Sequence, residues 1–301
     1  YLKIADGCDC RCSYCAIPMM RGDFRSRSLE AIAVDVDRML AAGVVELNLI
    51  AQDVACYGYD IGKHPLDLLR MLDEKPGKFW VRPFYLHPLH MTDEILDYLT
   101  TSQKFCRYLE SPIQHISSRL LKRMNRGYDA DYLYDMIKRM RAKLPDTTWR
   151  TTFIVGFPGE TEADFSNLCD FVSEQKIPRA GVFAYSHEDG TPSFKYKGIL
   201  PQQTIRARQE ELTRLINENA DEYNRALVGT MRELIVEEYD REAGVMRGRL
   251  SCDAPEIDFT VRAPVLAPVP TGFHQVKLTA VDDEGFVGEF TGGADGTRFI
   301  V

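Results

Sequence analysis

Eight residues near the start of the chain, Cys8-Asp9-Cys10-Arg11-Cys12-Ser13-Tyr14-Cys15, limit what it can fold around more than any other stretch. Cys8, Cys12 and Cys15 form a C-x3-C-x2-C triplet inside the loop GCDCRCSYCAIPMMRG. Three thiolates this close can wrap one four-iron cluster and leave one iron open to bind something else. Structural zinc usually takes two C-x2-C pairs well separated in sequence, and the neighbouring chain offers no second pair. The spacing therefore favours an iron–sulfur site over zinc. Cys10, a fourth cysteine in the loop, is able in principle to compete as a ligand and reads as a bystander thiol.

The remaining cysteines bear on compartment. Cys56, Cys106, Cys169 and Cys252 stand alone, which is not a disulfide framework, and each reads as a small buried apolar residue. No apolar run approaches the roughly 18 residues of a membrane span, and no signal-peptide pattern opens the chain. The expectation is a cytoplasmic protein with no membrane partner. With 301 residues, 45% hydrophobic and 27% charged, the chain has the composition of a soluble globular protein. Its length suggests one large domain with a smaller companion. It begins with Tyr1 rather than Met, and the cysteine loop follows almost at once, so it reads as a fragment.

Apolar runs and helical patterns then alternate. Strands are expected at Leu2 to Ala5, Glu46 to Ile50, Trp80 to Leu86, Tyr108 to Ile113, Trp149 to Val155 and Arg179 to Tyr185. Helices are expected at Ser28 to Ala42 (stopped by Gly43), Leu66 to Leu72, Asp93 to Leu99, Arg119 to Met124, Tyr132 to Lys143, after Glu160 to about Glu174, and Pro201 to about Leu227. Six strands alternating with helices imply an α/β fold, a parallel sheet with right-handed crossovers closing into an open (β/α)6 partial barrel. Gly229 to Val301 differs, with short runs near Glu233, Val245, Phe259, Gln275 and Phe286 between turn residues. These suggest a small all-β barrel, with APVLAPVPTG as a loop between two strands. The predicted domains are 1–228 and 229–301.

In an open α/β barrel the chemistry sits where strands end. The cysteine loop, Gln52, His87, Gln114, the Gly156 turn and Ser186 all follow predicted strands and are expected to converge on one mouth. Glu110 and Arg150 fall inside apolar strands, where an unpaired charge is costly unless a ligand or partner meets it. They either face a ligand or pair with each other or with another charge. The turn Gly156-Phe157-Pro158-Gly159-Glu160 lets backbone approach a ligand closely, with free N–H groups at a helix start. His115 suits either a polar group at the mouth or a structural histidine. Arg21 and Arg27 flank the loop and either steady it or a ligand's carboxylate, or are solvated.

Beyond the cysteine spacing, the stretches YLKIADGCDCRCSYCAIPMMRGDFRSR, LIAQD, SPIQHISSRLLKRMNRGYD, RTTFIVGFPGET and FAYSHEDGTP resemble the methylthiotransferases of the radical S-adenosylmethionine (SAM) superfamily. The resemblance runs nearly the whole chain, and the C-terminal barrel is similar to an OB-like TRAM domain. It implies a radical SAM core in which Cys8, Cys12 and Cys15 hold a 4Fe-4S cluster whose open iron chelates SAM. Gln52, Glu110, Gln114, Arg150, Gly156 and Glu160 are then the expected cofactor-binding residues, and no catalytic side chain beyond cluster and SAM is expected. The resemblance further implies a reductant protein as electron donor and hydrogen abstraction from an unactivated carbon. It also implies a preceding domain with three more cysteines holding a second cluster. Without that domain the chain is expected to cleave SAM but not to complete sulfur insertion.

Two substrate types exist in the family. YLKIADGC and Cys252 to Asp258 (CDAPEID) resemble the type that methylthiolates the β-carbon of an aspartate in a small-subunit ribosomal protein; the runner-up type acts on adenosine in transfer RNA. Residues 229–301 contain 7 Lys and Arg against 13 Asp and Glu, and so hold most of the chain's net charge of −8. An RNA-binding module should show a basic face for phosphates. An acidic one suits a basic protein partner, so transfer RNA is the less favoured substrate. Two non-enzymatic alternatives stand beside these: a binding module built on the C-terminal barrel, or a structural metal loop.

Overall fold

The computed structural model describes residues 1–265 and 268–292. Its elements run in the order β1 (Leu2–Lys3), β2 (Ala5–Asp6), α1 (Ile17–Arg21), β3 (Arg25–Ser26), α2 (Leu29–Ala41), β4 (Glu46–Ile50), α3 (Pro65–Glu74), β5 (Trp80–Pro83), α4 (Asp93–Thr101), β6 (Tyr108–Glu110), α5 (Ser118–Arg123), α6 (Ala130–Lys143), β7 (Thr148–Val155), α7 (Glu162–Gln175), β8 (Arg179–Ala184) and α8 (Gln202–Leu227). Five further strands follow: β9 (Met231–Asp240), β10 (Val245–Leu250), β11 (Val261–Pro264), β12 (Gly272–Asp282) and β13 (Gly285–Gly292). The chain divides into one unit of Tyr1–Asn219 and a second beginning at Ala220.

In the first unit β1, β4 and β5 form one parallel sheet and β6, β7 and β8 another. A parallel bridge from Val81 to Phe105 joins them. Because every ladder is parallel and the strands are taken in chain order, their carboxyl ends share one rim. Apolar side chains such as Leu47, Leu49, Phe153 and Val155, all at most 1% exposed, pack against the apolar faces of the helices. The helix starts are set by side chains: Ser28, Thr92, Ser117, Asp129 and Thr161 each accept a backbone N–H of the first turn. Within the strands Arg82 is fully buried, bonded to Glu46 at 2.8 Å and stacked over the Tyr108 ring at 4.6 Å.

Three strand boundaries differ from expectation by more than one residue. The first run splits at Ile4: Leu2 and Lys3 pair with β4, whereas Ala5 and Asp6 pair antiparallel with β3. That change of partner makes the hairpin that carries the cysteine loop. The third strand stops at Pro83 instead of Leu86, because Tyr85 turns into the left-handed region at φ +56. The fourth stops at Glu110, two residues ahead of Pro112.

The second unit is a closed five-stranded barrel in the order β10-β11-β13-β12-β9, antiparallel except for the β11–β13 pair. Val236, Met246, Val261, Val276, Leu278 and Phe286 fill its interior. A bulge between Arg247 and Gly248 bends β10. Gly248 is required there, since a Cβ would stand 2.2 Å from the Ile235 carbonyl oxygen. Of the expected proline-rich loop, Leu266 and Ala267 lie outside the described residues.

Candidate metal centre in the cysteine loop

Pairing of β2 with β3 closes the loop at its base. Gly7 (φ +74) is the hinge: a Cβ there would lie 2.1 Å from the Asp23 carbonyl oxygen, and Cys8 N–H donates to the Gly22 carbonyl at 3.1 Å. Asp9 accepts Phe24 N–H at 2.9 Å. The far side is held by the segment after α5. Ser13 donates its N–H to the Met124 carbonyl at 2.9 Å and its hydroxyl to the Arg123 carbonyl at 2.8 Å, and Asn125 Nδ2 donates to the Arg11 carbonyl at 2.7 Å. The loop is thus fixed by backbone and polar contacts independent of the thiols.

All four loop cysteines are free thiols; Cys8 and Cys12 are buried, Cys10 and Cys15 half-buried. Hydrogen bonding with Cys10 holds the Cys8 thiol down to about 7 against the opposing effect of burial, and the same bond pushes Cys10 up. Burial, countered by the Ile17 N–H, pushes Cys15 up, and the neighbouring Cys12 and Cys8 sulfurs add to it. Arg126 is the counter-charge. Its buried guanidinium donates to Cys12 Sγ at 3.1 Å, to the Pro112 carbonyl at 2.8 Å and to Tyr128 Oη at 2.7 Å.

A cavity of about 410 Å³ opens beside the loop, lined among others by Cys8, Cys10, Asp53, His87, His90 and Arg126. Asp53, at the turn after β4, is buried; its Oδ1 accepts Ala55 N–H at 3.1 Å and His87 N–H at 3.2 Å, and its Oδ2 lies 2.5 Å from His90 Nδ1. That bond raises His90, whereas burial, with Arg126 and His90 adding to it, pushes His87 down to about 2 and keeps it neutral.

The expected cofactor residues lie elsewhere on the rim, and none of the six lines this cavity. Gln52 is exposed. Glu110 and Arg150 are register neighbours on β6 and β7, with Arg150 Nε 4.0 Å from Glu110 Oε1, the mutual pairing that was the alternative reading. Gln114 bridges to Phe153 in a left-handed conformation, φ +71, strain of the kind that gathers at functional sites. The Gly156 turn is a correction. Gly156 and Phe157 donate their N–H groups to Glu160 Oε2, Gly159 N–H goes to the Gly198 carbonyl and Glu160 N–H to the Phe157 carbonyl. No N–H of the turn is free. Glu160 Oε1 is held by Arg208 at 2.9 Å, and the close approach that requires glycine at 156 is made by Ile205. His115 is buried and accepts Ile116 and Ser117 N–H on Nδ1, a structural role. Arg21 pairs with Asp6 and Arg27 with Asp35.

Sequence reasoning missed Asp53 as a cavity residue, read Cys56 as a buried apolar residue although it is half-buried on the cavity wall and bonds Asp53 and His90, and missed His90 and Arg126 altogether. Asp53 and His90 carried a signal, following strands as Gln52 and His87 do. Arg126 carried none, because RMNRG reads as a solvated basic turn.

Residues 2–172 match the Radical SAM superfamily and residues 228–291 the TRAM domain. The ribosomal protein uS12 methylthiotransferase RimO of Carboxydothermus hydrogenoformans is 41% identical over 293 residues, covering 96% of this chain and 67% of that protein. Its namesake in Natranaerobius thermophilus is 40% identical over 294 residues, covering 97% and 66%, and that of Opitutus terrae 40% over 303 residues, covering 93% and 63%. The chain therefore spans about two thirds of the length of these curated relatives. Among solved structures, the radical SAM methyltransferase TsrM of Kitasatospora setae has a TM-score of 0.52 at 18% identity, over 64% of this chain and 38% of that one. Coproporphyrinogen III oxidase (HemN) of Escherichia coli has a TM-score of 0.51 at 15% identity, over 74% and 54%. These two likenesses are of fold.

Proposed function

We propose a function from the premise that the chain belongs to the radical SAM superfamily and, within it, to the uS12 methylthiotransferase RimO family: it serves methylthiolation of an aspartate β-carbon in ribosomal protein uS12. Cys8, Cys12 and Cys15 would hold a 4Fe-4S cluster, with SAM at the rim. The donor set fits: three free thiols on one braced loop, with the Arg126 cation on the Cys12 sulfur. The observation that carries the reading is the buried Arg126 guanidinium on the Cys12 sulfur of a braced loop whose cysteines are all free. When bound, cluster and SAM supply one-electron chemistry able to remove hydrogen from an unactivated C–H.

The chain's own residues do the rest. The hairpin and the Ser13 and Asn125 contacts keep the loop from moving as ligand binds, which preserves orientation. Arg126 places its guanidinium 3.1 Å from the Cys12 sulfur, beside the proposed cluster. Phe24, buried on the cavity wall, helps to exclude water. Glu110, Arg150, Gln52 and Gln114 remain proposed contacts to SAM; Gly156 and Glu160 would act by shaping the rim. Residues 1–228 are proposed as the reacting domain and 229–301 as the docking domain, with a reductant protein as electron source.

The acidic C-terminal barrel supports a protein substrate over RNA. Arg247 pairs with Glu238 and Asp240, Arg249 with Glu237, and Arg262 with Asp282 and Glu284, so three of its basic side chains face carboxylates. The test is deuterium transfer. After anaerobic reconstitution and reduction, a uS12 peptide deuterated at the aspartate β-carbon should label the 5′-deoxyadenosine formed from SAM. Label arriving from deuterated transfer RNA adenosine instead would overturn the substrate assignment.

A further inference from the structure

Four donors of mixed type meet on the cavity wall: Sγ of Cys10, a carboxylate oxygen of Asp53, and one ring nitrogen each of His87 and His90. One ligand atom from each lies within 4.8 Å of the other three. They come from three segments, the cysteine loop, the turn after β4 and the turn Pro88–His90 after β5 with its capping residue. We propose that these four residues form a mononuclear site for a divalent transition metal of the Zn²⁺ or Fe²⁺ class, separate in its ligands from Cys8, Cys12 and Cys15.

The geometry is close to what such an ion needs. With bonds of roughly 2.0–2.3 Å, tetrahedral donors stand roughly 3.3–3.8 Å apart, so the widest separation has to close by about 1 Å. Cys10 and His90 are only half-buried and can supply that movement. Asp53 is the anchor, its Oδ1 fixed by Ala55 and His87 N–H groups and its Oδ2 facing His90, with the Cys56 thiol donating to that Oδ2 at 3.3 Å as the contact the ion has to displace. A metal ion takes the place of the proton shared by His90 and Asp53. It also releases the Cys10 thiol proton, as thiolate ligation requires. His87 binds through Nε2, which moves its ring proton to Nδ1 and gives up the long 3.3 Å contact from Leu89 N–H.

The donor chemistry selects the ion. Two imidazoles, a carboxylate and a thiolate bring two negative charges to a dication, and nitrogen and sulfur donors suit zinc or ferrous iron. Magnesium and calcium require six or more oxygens and are excluded. An Asp53–His90 ion pair by itself accounts for two of the four groups and gives Cys10 and His87 no part.

The site is independent of the cluster assignment, and its test can be made so. The untagged full chain, never exposed to iron or sulfide, is titrated with Co²⁺ alone. With Cys8, Cys12 and Cys15 all replaced by Ser, so that the cluster thiols take no cobalt, the expected result is one cobalt per chain with tetrahedral ligand-field bands and a thiolate-to-cobalt band. In that triple Ser background His87→Ala and His90→Ala should each weaken binding by about tenfold or more, and Cys10→Ser should remove the thiolate band. Circular dichroism of each variant establishes that it is folded, and His90→Gln supplies a milder change if His90→Ala is not. Cobalt binding lost in the triple Ser variant, or insensitive to both histidine changes, overturns the site. A cobalt spectrum without a thiolate band overturns the four-donor assignment. Loss of SAM cleavage with cobalt binding intact would count against the proposed function alone.

Discussion

Arg126 shows how one residue ties the loop to the barrel. Its guanidinium is buried and reaches Cys12 Sγ, the Pro112 carbonyl and Tyr128 Oη at once. Replacing it with Met keeps the volume and removes the charge and donors. The Pro112 carbonyl then loses a charge-assisted bond, and urea unfolding should show a loss of about 1–3 kcal/mol. A second effect separates charge from packing. A cation beside a cluster sulfur stabilises the reduced, more negative state, so Arg126→Met should move the midpoint potential of the reconstituted protein to more negative values. Arg126→Lys should recover part of the shift; equal potentials in all three proteins would deny Arg126 an electrostatic part. At this scale the three cysteines were legible because ligand spacing is local in sequence. Arg126 was not, because its burial depends on Pro112 and Tyr128 closing around it from the turns that follow β6 and α5.

At the scale of elements, Asp164 joins two helix starts. It completes a capping box with Thr161 at the head of α7, and it bonds Ser117, the cap of α5, and Arg119. Burial alone would raise its carboxyl, but bonds from Ser117, Thr161 and Arg119 outweigh that and hold it well below the ordinary carboxylate range. A carboxylate lowered in the folded state contributes stability above its unfolded pKa and loses it as pH falls. The stability gap between wild type and Asp164→Asn should therefore be full at pH 6 and shrink as pH drops below about 4, read as paired urea midpoints. A gap independent of pH would show that the charge is not what links the helices. The neighbouring Gly156 turn makes a second point. With φ +79 and Ile205 against it, Gly156→Ala should cost about 1–3 kcal/mol, seen as a lowered melting temperature. Helix positions were legible here because Ser, Thr and Asp caps announce themselves. The purpose of the turn was not: a glycine needed for packing against α8 reads the same in sequence as one needed for a ligand.

Across the whole molecule the alternation of six apolar runs with helical patterns was enough to name an open parallel barrel, since parallel strands need crossovers of that length. Five short runs between turn residues were enough for the second, closed barrel. What remained hidden was pairing: the split at Ile4 that makes the loop hairpin, and the joining of Asp53 and His90 to the His87 expected at the mouth. Charge distribution is the other property of the molecule as a whole. With Arg247, Arg249 and Arg262 neutralised within the C-terminal barrel, a salt series should show transfer RNA binding weaker than uS12 binding at every ionic strength; tight transfer RNA binding that falls steeply with salt would contradict an acidic docking domain. The central claim, that Cys8, Cys12 and Cys15 hold the cluster while Cys10 does not, is met most directly by iron and sulfide counts after anaerobic reconstitution of the single alanine variants. Cys10→Ala should retain about four irons per chain and reductive SAM cleavage, and Cys12→Ala should lose both. Retention of both in Cys12→Ala, or their loss in Cys10→Ala, would contradict the account.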